Sequence, residues 1–198
     1  MENKLYEKQL VTTSASGDRD SFCSLYDMYK MRLYRYAYYR LGDPGDAEDA
    51  VSECVLQAWK QIGSLRDPLA FGGWIFTILS RCCARIISRQ IEQRQQISLD
   101  DPDAQASMDV SSRRSPEDVS ARMDLQDALA ILSEEDRNIV LLSVVGGFKS
   151  REIAEITGLK PGSVRSRLSR DLTRMRRHLE GDGYGDENND MISEKQDE

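Results

Sequence analysis

The sequence predicts an all-α protein of two small helical domains joined by a flexible linker. A three- or four-helix N-terminal bundle is followed by a C-terminal helix-turn-helix domain. Apolar residues recur every three or four positions in several stretches, which is the helical period. Turn residues such as Asp43-Pro44-Gly45 separate these stretches. One intervening segment, 96–117, has no such period and is rich in Asp, Ser and Pro, which favours a flexible acidic linker.

The composition bounds the possible functions. With 198 residues, 39% of them hydrophobic, the chain suffices for one large domain or two small ones. Its four cysteines lack Cys-x-x-Cys spacing and only one histidine is present, so we expect no metal site and no cofactor. No apolar run approaches the roughly 20 residues that cross a bilayer, and no export signal is evident. We therefore expect a cytoplasmic protein without membrane insertion.

Four helices are predicted in the first domain, 1–95. A short helix covers 2–12, and a stronger stripe runs from Asp20 to Leu41. Asp46 is expected to cap the next helix, which ends near Ile62. After a break at 63–67, Pro68 restarts a helix that reaches about Gln95. The buried stripes are predicted at Phe22, Leu25, Tyr26, Tyr29, Leu33, Tyr36, Ala37, Ala47, Ala50, Val51, Cys54, Val55, Ala58, Trp59, Ile62, Phe71, Trp74, Ile75, Ile78, Leu79, Cys82 and Ile86, with Cys23 also assigned to an apolar face.

The second domain, 118–180, opens with a predicted helix over 118–132. Ser133 is expected to cap the following helix, because acids occupy its first turn. The remaining residues, 181–198, carry seven acids and one lysine and predict a disordered acidic tail. Most of the net charge of −7 lies there, so the helical domains are less acidic than the whole chain.

The stretch 149–179 has the pattern of a helix-turn-helix. Ala154 is small where two helices would cross, Gly158 suits a tight left-handed turn, and Val164 anchors a second helix that begins at Pro161. The second helix is expected to bury Val164, Leu168, Leu172, Met175 and Leu179. Between 146 and 180 there are nine Lys and Arg against four Asp and Glu. Such a local cationic surface, rich in arginine forks and serines, predicts DNA binding.

Two exposed faces of the first domain also predict contacts. The helix ending near Ile62 presents acids around Leu56, a hint of a protein partner that single exposed leucines do not establish. The next helix has arginines at 81, 85 and 89, and no acid lies between Asp67 and Glu92. Such a row can follow phosphates or reach unpaired bases, although a solvated basic edge gives the same pattern.

Three segments together resemble a bacterial RNA polymerase sigma factor. DAEDAVSECVLQAWKQI, WIFTILSRCCARIISR and LSEEDRNIVLLSVVGGFKSREIAEITGLKPGSVRSRLSR resemble in particular the compact extracytoplasmic-function (ECF) group. The resemblance covers roughly 19–179 apart from the linker. It implies a transcription initiation factor, without catalytic residues, that directs core RNA polymerase to specific promoters.

The resemblance also implies roles for individual residues. In such factors the second domain reads the upstream promoter element, here by Ser150, Arg151, Lys160, Ser163, Arg165, Ser166, Arg167, Ser169 and Arg170. The first domain opens the downstream element, here by Gly63, Ser64, Leu65, Arg66, Asp67, Thr77, Ser80, Arg81 and Arg85. The largest-subunit clamp coiled coil of the polymerase is bound through Asp49, Ser52, Glu53, Leu56 and Lys60, with Ser52 where the family usually has glutamine.

Further partners follow from the same resemblance. The second domain of such factors also meets the flap region of the polymerase, and an anti-sigma factor often holds them inactive. The alternative hypothesis is a stand-alone helix-turn-helix regulator whose N-terminal bundle senses or dimerises. That hypothesis explains 149–179 equally well, but it leaves the paired faces of the first domain without a role.

Overall fold

The computed structural model describes residues 2–100 and 125–180 of the chain, with side chains described for 4–93 and 125–180. Within these ranges all regular structure is helical. The N-terminal part contains α1 (Glu2–Ala15), α2 (Arg19–Leu41), α3 (Pro44–Gln61) and α4 (Phe71–Asp100). Two short 3₁₀ turns, Ile62–Ser64 and Pro68–Ala70, lie between α3 and α4. The C-terminal part contains a helical segment over 125–130 (α5), α6 (Glu134–Val144), α7 (Ser150–Thr157) and α8 (Pro161–Leu179).

The N-terminal helices pack into one bundle around the predicted apolar stripes. Leu25, Leu33, Tyr36, Cys54 and Leu79 have no exposed surface. Aromatic rings join the helices edge to face, including Phe22 with Trp59 at 5.1 Å between ring centroids. Tyr26, Val55, Trp59, Trp74 and Ile86 were predicted in the stripes and are only partly buried at its margin.

The helix ends are explained by capping residues and prolines, but several of them differ from the prediction. Asp43 rather than Asp46 caps α3, because the Asp43 side chain accepts from the Asp46 backbone N–H at 2.8 Å. Pro44 occupies the first turn, where its missing N–H costs nothing. Helix α1 continues to Ala15 rather than residue 12, and α4 continues to Asp100, into the segment predicted as linker. The rest of that linker, and the tail 181–198, lie outside the described residues.

The helical stretch 68–93, which includes most of α4, is long and apolar enough to satisfy the length and composition of a membrane span. One such helix is weak evidence, because the core helix of a bundle has the same features. Here Phe71, Ile75, Phe76, Leu79 and Cys82 are buried among the other helices. The apolar content of α4 is therefore explained by its place in the bundle.

The C-terminal helices form a second cluster that lies against the first. Ser133 caps α6 as predicted, accepting from the Asp136 backbone N–H at 3.2 Å. Ile139 and Leu142 of α6, Ile153 of α7 and Val164 of α8 have no exposed surface. Phe148, before α7, packs edge to face on Phe76 of α4, with ring centroids 5.0 Å apart.

Candidate nucleic-acid interface

The turn between α7 and α8 has the predicted geometry. Gly158 adopts a left-handed conformation with φ of 77°, and its N–H donates to the Ala154 carbonyl at 2.8 Å. Ala154 is buried where α7 meets α8, and Val164 is fully buried beneath the first turns of α8. The turn and these buried contacts fix the orientation of α8 on α7. The positions of the side chains on the outer face of α8 are therefore fixed as well.

The residues predicted to read the upstream element lie together on α7, the turn and α8. Most are exposed: Arg151, Lys160, Ser163, Arg165, Ser166, Ser169 and Arg170. Ser150 and Arg167 are partly buried. Among the residues that the structure describes, Arg165 has no hydrogen-bond or ion-pair partner. The surface is cationic and its small serines leave room for close approach.

Two arginines of this surface are paired with acids. Arg167 pairs with Glu135 and lies 3.4 Å from Asp136, both in the first turn of α6. The contact to Glu135 raises the pKa of Arg167 by hydrogen bonding and charge attraction, so this side chain stays cationic. Arg170 lies between Asp136 and Asp171. These pairs tie α8 to α6.

The buried stripe of α8 differs from the prediction at two of the predicted positions. Leu172 and Leu179 were expected inside, but they are 41% and 50% exposed. The inward position is instead occupied by Asp171, which has no exposed surface. Positions 164, 168, 171 and 175 also have helical spacing. The prediction chose the stripe through Leu172 instead, because the residue at 171 is an acid and periodicity counts only apolar residues as buried.

The residues predicted to open the downstream element surround the start of α4. Gly63 and Ser64 form a 3₁₀ turn, in which Ser64 Oγ donates to the Gln61 carbonyl at 2.7 Å. Arg66 and Asp67 are exposed, and Asp67 accepts from the Leu69 N–H at 2.9 Å. Leu65 is partly buried. The loop is thus held by its own hydrogen bonds, and most of its residues are exposed.

On α4 the structure divides the predicted residues. Arg81 and Arg85 are exposed, whereas Thr77 donates to its own helix at the Gly73 carbonyl. Ser80 lies at the contact between the two helical clusters. Its hydroxyl accepts from Arg40 Nη1 at 2.8 Å and from Asn138 Nδ2 at 3.4 Å. In this arrangement Ser80 is therefore occupied by the protein itself.

The contact between the clusters is centred on Arg40, which sequence analysis missed. Arg40 is buried and donates through Nε to Glu134 Oε1 at 3.0 Å and through Nη1 to the Tyr36 hydroxyl at 2.7 Å. Tyr36 in turn donates to Asn138, and burial raises the pKa of Tyr36 to about 12. The sequence did contain one indication that Arg40 is buried, because it continues the inward-facing spacing of Leu33, Tyr36 and Ala37.

The residues predicted to bind a protein partner share one face of α3. Asp49, Ser52, Leu56 and Lys60 are exposed, and Leu56 is 61% exposed. Glu53 is partly buried and pairs with Arg85 of α4 at 2.8 Å. The predicted protein-binding and DNA-binding faces are therefore adjacent and share an ion pair.

A second feature that sequence analysis missed is an apolar groove on the C-terminal cluster. Its volume is about 400 Å³. It is lined mainly by α5, α6 and α8, with one residue of α2: Tyr39, Leu125, Leu129, Val140, Leu141, Val144, Val145, Leu172, Met175, Arg176, Leu179 and Glu180. The exposed leucines of α8 thus belong to a concave apolar surface rather than to the core.

The cysteines do not form a metal or disulfide site within the described part of the chain. No group of three metal-ligating side chains is found there, and all four cysteines are free. Burial raises the pKa of Cys83 to about 12 and also raises that of Cys54. Cys23, predicted to face the core, is exposed.

Comparison with known families identifies both helical clusters. Residues 25–91 match the family described as Sigma-70 region 2, and residues 122–175 match Sigma-70, region 4. The first match covers most of α2 to α4. The second covers the helix-turn-helix and the two helices before it.

Individual relatives agree with these assignments. The chain is 31% identical over 161 residues to the ECF RNA polymerase sigma factor SigL of Mycobacterium tuberculosis, covering 80% of this chain and 88% of SigL. It is 30% identical over 178 residues to the ECF RNA polymerase sigma factor BldN of Streptomyces coelicolor, covering 88% of this chain and 66% of BldN. The sigma factor RpoE of Bartonella quintana, solved in complex with the anti-sigma factor NepR, is similar in fold. The TM-score is 0.65 at 25% identity, with 81% of this chain and 98% of that chain covered.

Proposed function

Because the chain belongs to the ECF sigma factors of RNA polymerase, which are transcription initiation factors, we propose a specific division of work between its two helical domains. The C-terminal domain, 118–180, reads an upstream promoter element as duplex DNA. The N-terminal domain, 1–95, binds the polymerase and holds the strands of a downstream element once they separate. The polymerase supplies the chemistry of RNA synthesis, and this chain is not itself an enzyme.

The observation that carries the proposal is the outer face of α8. A glycine turn at 158 fixes that helix on α7, and the exposed Arg165 and Arg170 extend from it beside the exposed Ser166 and Ser169. Arginine can donate to guanine edges or to phosphates, and serine can donate to either. This combination on an inserted helix is suited to a major groove.

For the downstream element we propose the loop 63–67 together with Thr77, Ser80, Arg81 and Arg85. The loop is ordered before DNA binds, which lowers the entropy lost on capturing an extruded base. Selective binding to separated strands then shifts the duplex toward the open form. Separation of the two domains would free Ser80 from Asn138 of the C-terminal domain, whereas its contact with Arg40 lies within the N-terminal domain.

The polymerase contacts are proposed at two surfaces. The clamp coiled coil of the largest subunit would bind the face of α3 around Leu56, where acids flank an exposed leucine. The flap region would insert into the apolar groove, where Val144, Leu172 and Leu179 are exposed. Exposed apolar surface of this kind is typical of protein-binding sites.

An anti-sigma factor is a further proposed partner. RpoE of Bartonella quintana, whose fold is similar, was solved with such a protein. We place the protein in the cytoplasm, where core RNA polymerase and DNA are found.

Transcription with purified components tests the proposal. The full chain mixed with core RNA polymerase should start transcripts at specific promoters without another sigma factor. Arg165→Ala and Arg170→Ala should each weaken recognition of the upstream element by about 1–3 kcal/mol. Arg177→Ala is the matched control, because this exposed arginine lies about 18 Å from Arg165 along α8.

Two results would contradict the proposal. Unchanged promoter preference in both arginine variants would remove α8 as the reading helix. Tight DNA binding by the chain alone, with no effect on core polymerase, would instead favour a stand-alone regulator.

A further inference from the structure

Asp171 is an unusual residue for its position. It lies on the inward stripe of α8 with Val164, Leu168 and Met175, and it has no exposed surface. Burying a carboxylate is costly unless it is well paired, and an apolar residue there would continue the stripe. One oxygen, Oδ2, has no partner within the described part of the chain. The acid therefore lowers stability locally rather than supporting the core.

The other oxygen of Asp171 holds an arginine of the proposed reading face. Oδ1 accepts from Arg170 Nε at 3.1 Å, and it lies 4.0 Å from Arg174 Nη1. Asp136 of α6 approaches the same guanidinium, with its Oδ2 atom 3.5 Å from Arg170 Nη2. Two acids from two helices thus contact neighbouring nitrogens along one edge of a single guanidinium.

Asp136 is itself fixed. Ser133 Oγ donates to Asp136 Oδ2 at 2.8 Å, and the Asp136 N–H donates to Ser133 Oγ at 3.2 Å. Asp136 is buried, in the first turn of α6. The second acid is thus anchored by the cap of α6, independently of α8.

This pairing leaves the other edge of the guanidinium available. Arg170 remains 57% exposed, and its Nη1 atom has no partner among the described residues. An arginine fork donates two parallel hydrogen bonds from such an edge to a base. Arg165, by contrast, is exposed without a partner among those residues and must be ordered by the DNA itself.

We propose that Asp171, assisted by Asp136, is a positioning residue for promoter recognition: it orients Arg170 so that the free edge of the guanidinium meets one base pair of the upstream element. The inference rests on the proposed role of α8 as the reading helix. Fixing the side chain in advance removes part of the entropy that binding would otherwise cost, and it makes the contact sensitive to which base is present. The local loss of stability is the cost of that orientation.

The structure separates this role from a purely structural one. Arg170 and Arg174 are both about half exposed, so removal of the Asp171 carboxylate leaves each of them in water rather than buried without a partner. Asp171→Leu continues the apolar stripe, and Asp171→Asn keeps the shape while removing the charge. Asp171→Leu should raise the melting temperature, whereas Asp171→Asn, whose amide group stays buried without full pairing, should lower it slightly.

The experiment uses holoenzyme assembled from the full chain and core RNA polymerase. The template carries a promoter located by mapping start sites, with its upstream element randomised, and sequencing the transcripts gives the base preference at each position. Arg170→Ala should abolish the preference at one position, and Arg165→Ala at another. Asp171→Asn should reduce the preference at the Arg170 position by about three- to tenfold and leave the Arg165 position within about twofold. Asp136→Asn should reduce the same position as Asp171→Asn.

Each other result has a distinct meaning. If Arg170→Ala changes no position, the proposed reading role of Arg170 fails, and the inference fails with it. If Arg170→Ala abolishes a preference that Asp171→Asn and Asp171→Leu leave intact, only the positioning role is overturned. A lower melting temperature with an equal loss at every position would make Asp171 a structural residue.

Discussion

Individual side chains in this protein are either buried between the helices, where they stabilise the fold, or exposed, where they can react or bind partners. The thiols show this division clearly. Cys54, Cys82 and Cys83 are buried in the first bundle, and burial raises the pKa of Cys83 to about 12 and also that of Cys82. A thiolate is the reactive form of cysteine. These three thiols are therefore protected, because reagents cannot reach them and because they stay protonated.

Thiol labelling tests that view. At pH 8 a disulfide reagent such as Ellman's reagent should modify Cys23 rapidly and the other three only when the protein unfolds. In Cys23→Ser the rapid phase should vanish, while the denatured protein still reports three thiols. Rapid modification of Cys82 or Cys83 in the native protein would show that the bundle opens there.

Asp171 and Arg40 show what residue-level prediction from sequence misses. Both are charged residues on inward positions of amphipathic helices, and hydrophobic periodicity treats a charge as a sign of solvent. Arg40 is paired with Glu134, which is distant in the chain, whereas Asp171 is paired with Arg170 and Arg174 of its own helix. The spacing gives the inward position of both residues, but it does not show that a charged side chain is buried there.

The helix-turn-helix depends on local backbone preferences that can be predicted from its sequence. As predicted, α7 ends at the left-handed Gly158 and α8 begins at Pro161. The groove beside α8 could not be predicted, because it is formed by four separate helices and its leucines have the spacing of core residues. The exposure of Arg165, Ser166 and Ser169 was predicted correctly, because it follows from their spacing along a single helix.

A pair of glycines in this motif provides a matched test. Gly158 has φ of 77°, so Gly158→Ala should destabilise the C-terminal domain by about 1 kcal/mol, because the left-handed conformation is strained for alanine. Gly162 lies in the first turn of α8, and open space surrounds the place that an alanine methyl group would take, so Gly162→Ala should stabilise the domain by up to about 1 kcal/mol. Chemical denaturation of the two variants measures both changes. Equal effects of the same sign would contradict the left-handed turn.

The two helical clusters of the molecule lie against each other through a contact that combines polar groups with the Phe76–Phe148 packing. Arg40 with Glu134, Tyr36 with Asn138, and Arg32 with the Gly146 carbonyl all cross it. Polar interfaces between domains resemble transient protein interfaces, so separation on binding is physically reasonable. The arginines at 81, 85, 165 and 170 stay exposed in this arrangement, whereas Ser80 does not.

Charge reversal at the contact tests whether the ion pair holds the domains together. Glu134→Lys places a second cation against the buried Arg40, and like charges at this distance repel. Small-angle X-ray scattering should give a larger radius of gyration for Glu134→Lys than for the unchanged protein. Asp127→Lys, an equal charge change at an exposed position of α5, is the control and should leave it unchanged. An unaltered radius in Glu134→Lys would assign the contact to the Phe76–Phe148 packing instead.

Both domains should engage one promoter while the chain is bound to polymerase. Footprinting of the complex formed by the full chain, core RNA polymerase and promoter DNA measures this directly, with permanganate used to detect unpaired thymines. We expect two protected segments attributable to this chain; Arg165→Ala should weaken the upstream one, and unpaired thymines should be confined to the downstream one. A single protected segment, with the DNA paired throughout, would show that the two domains do not engage the promoter together.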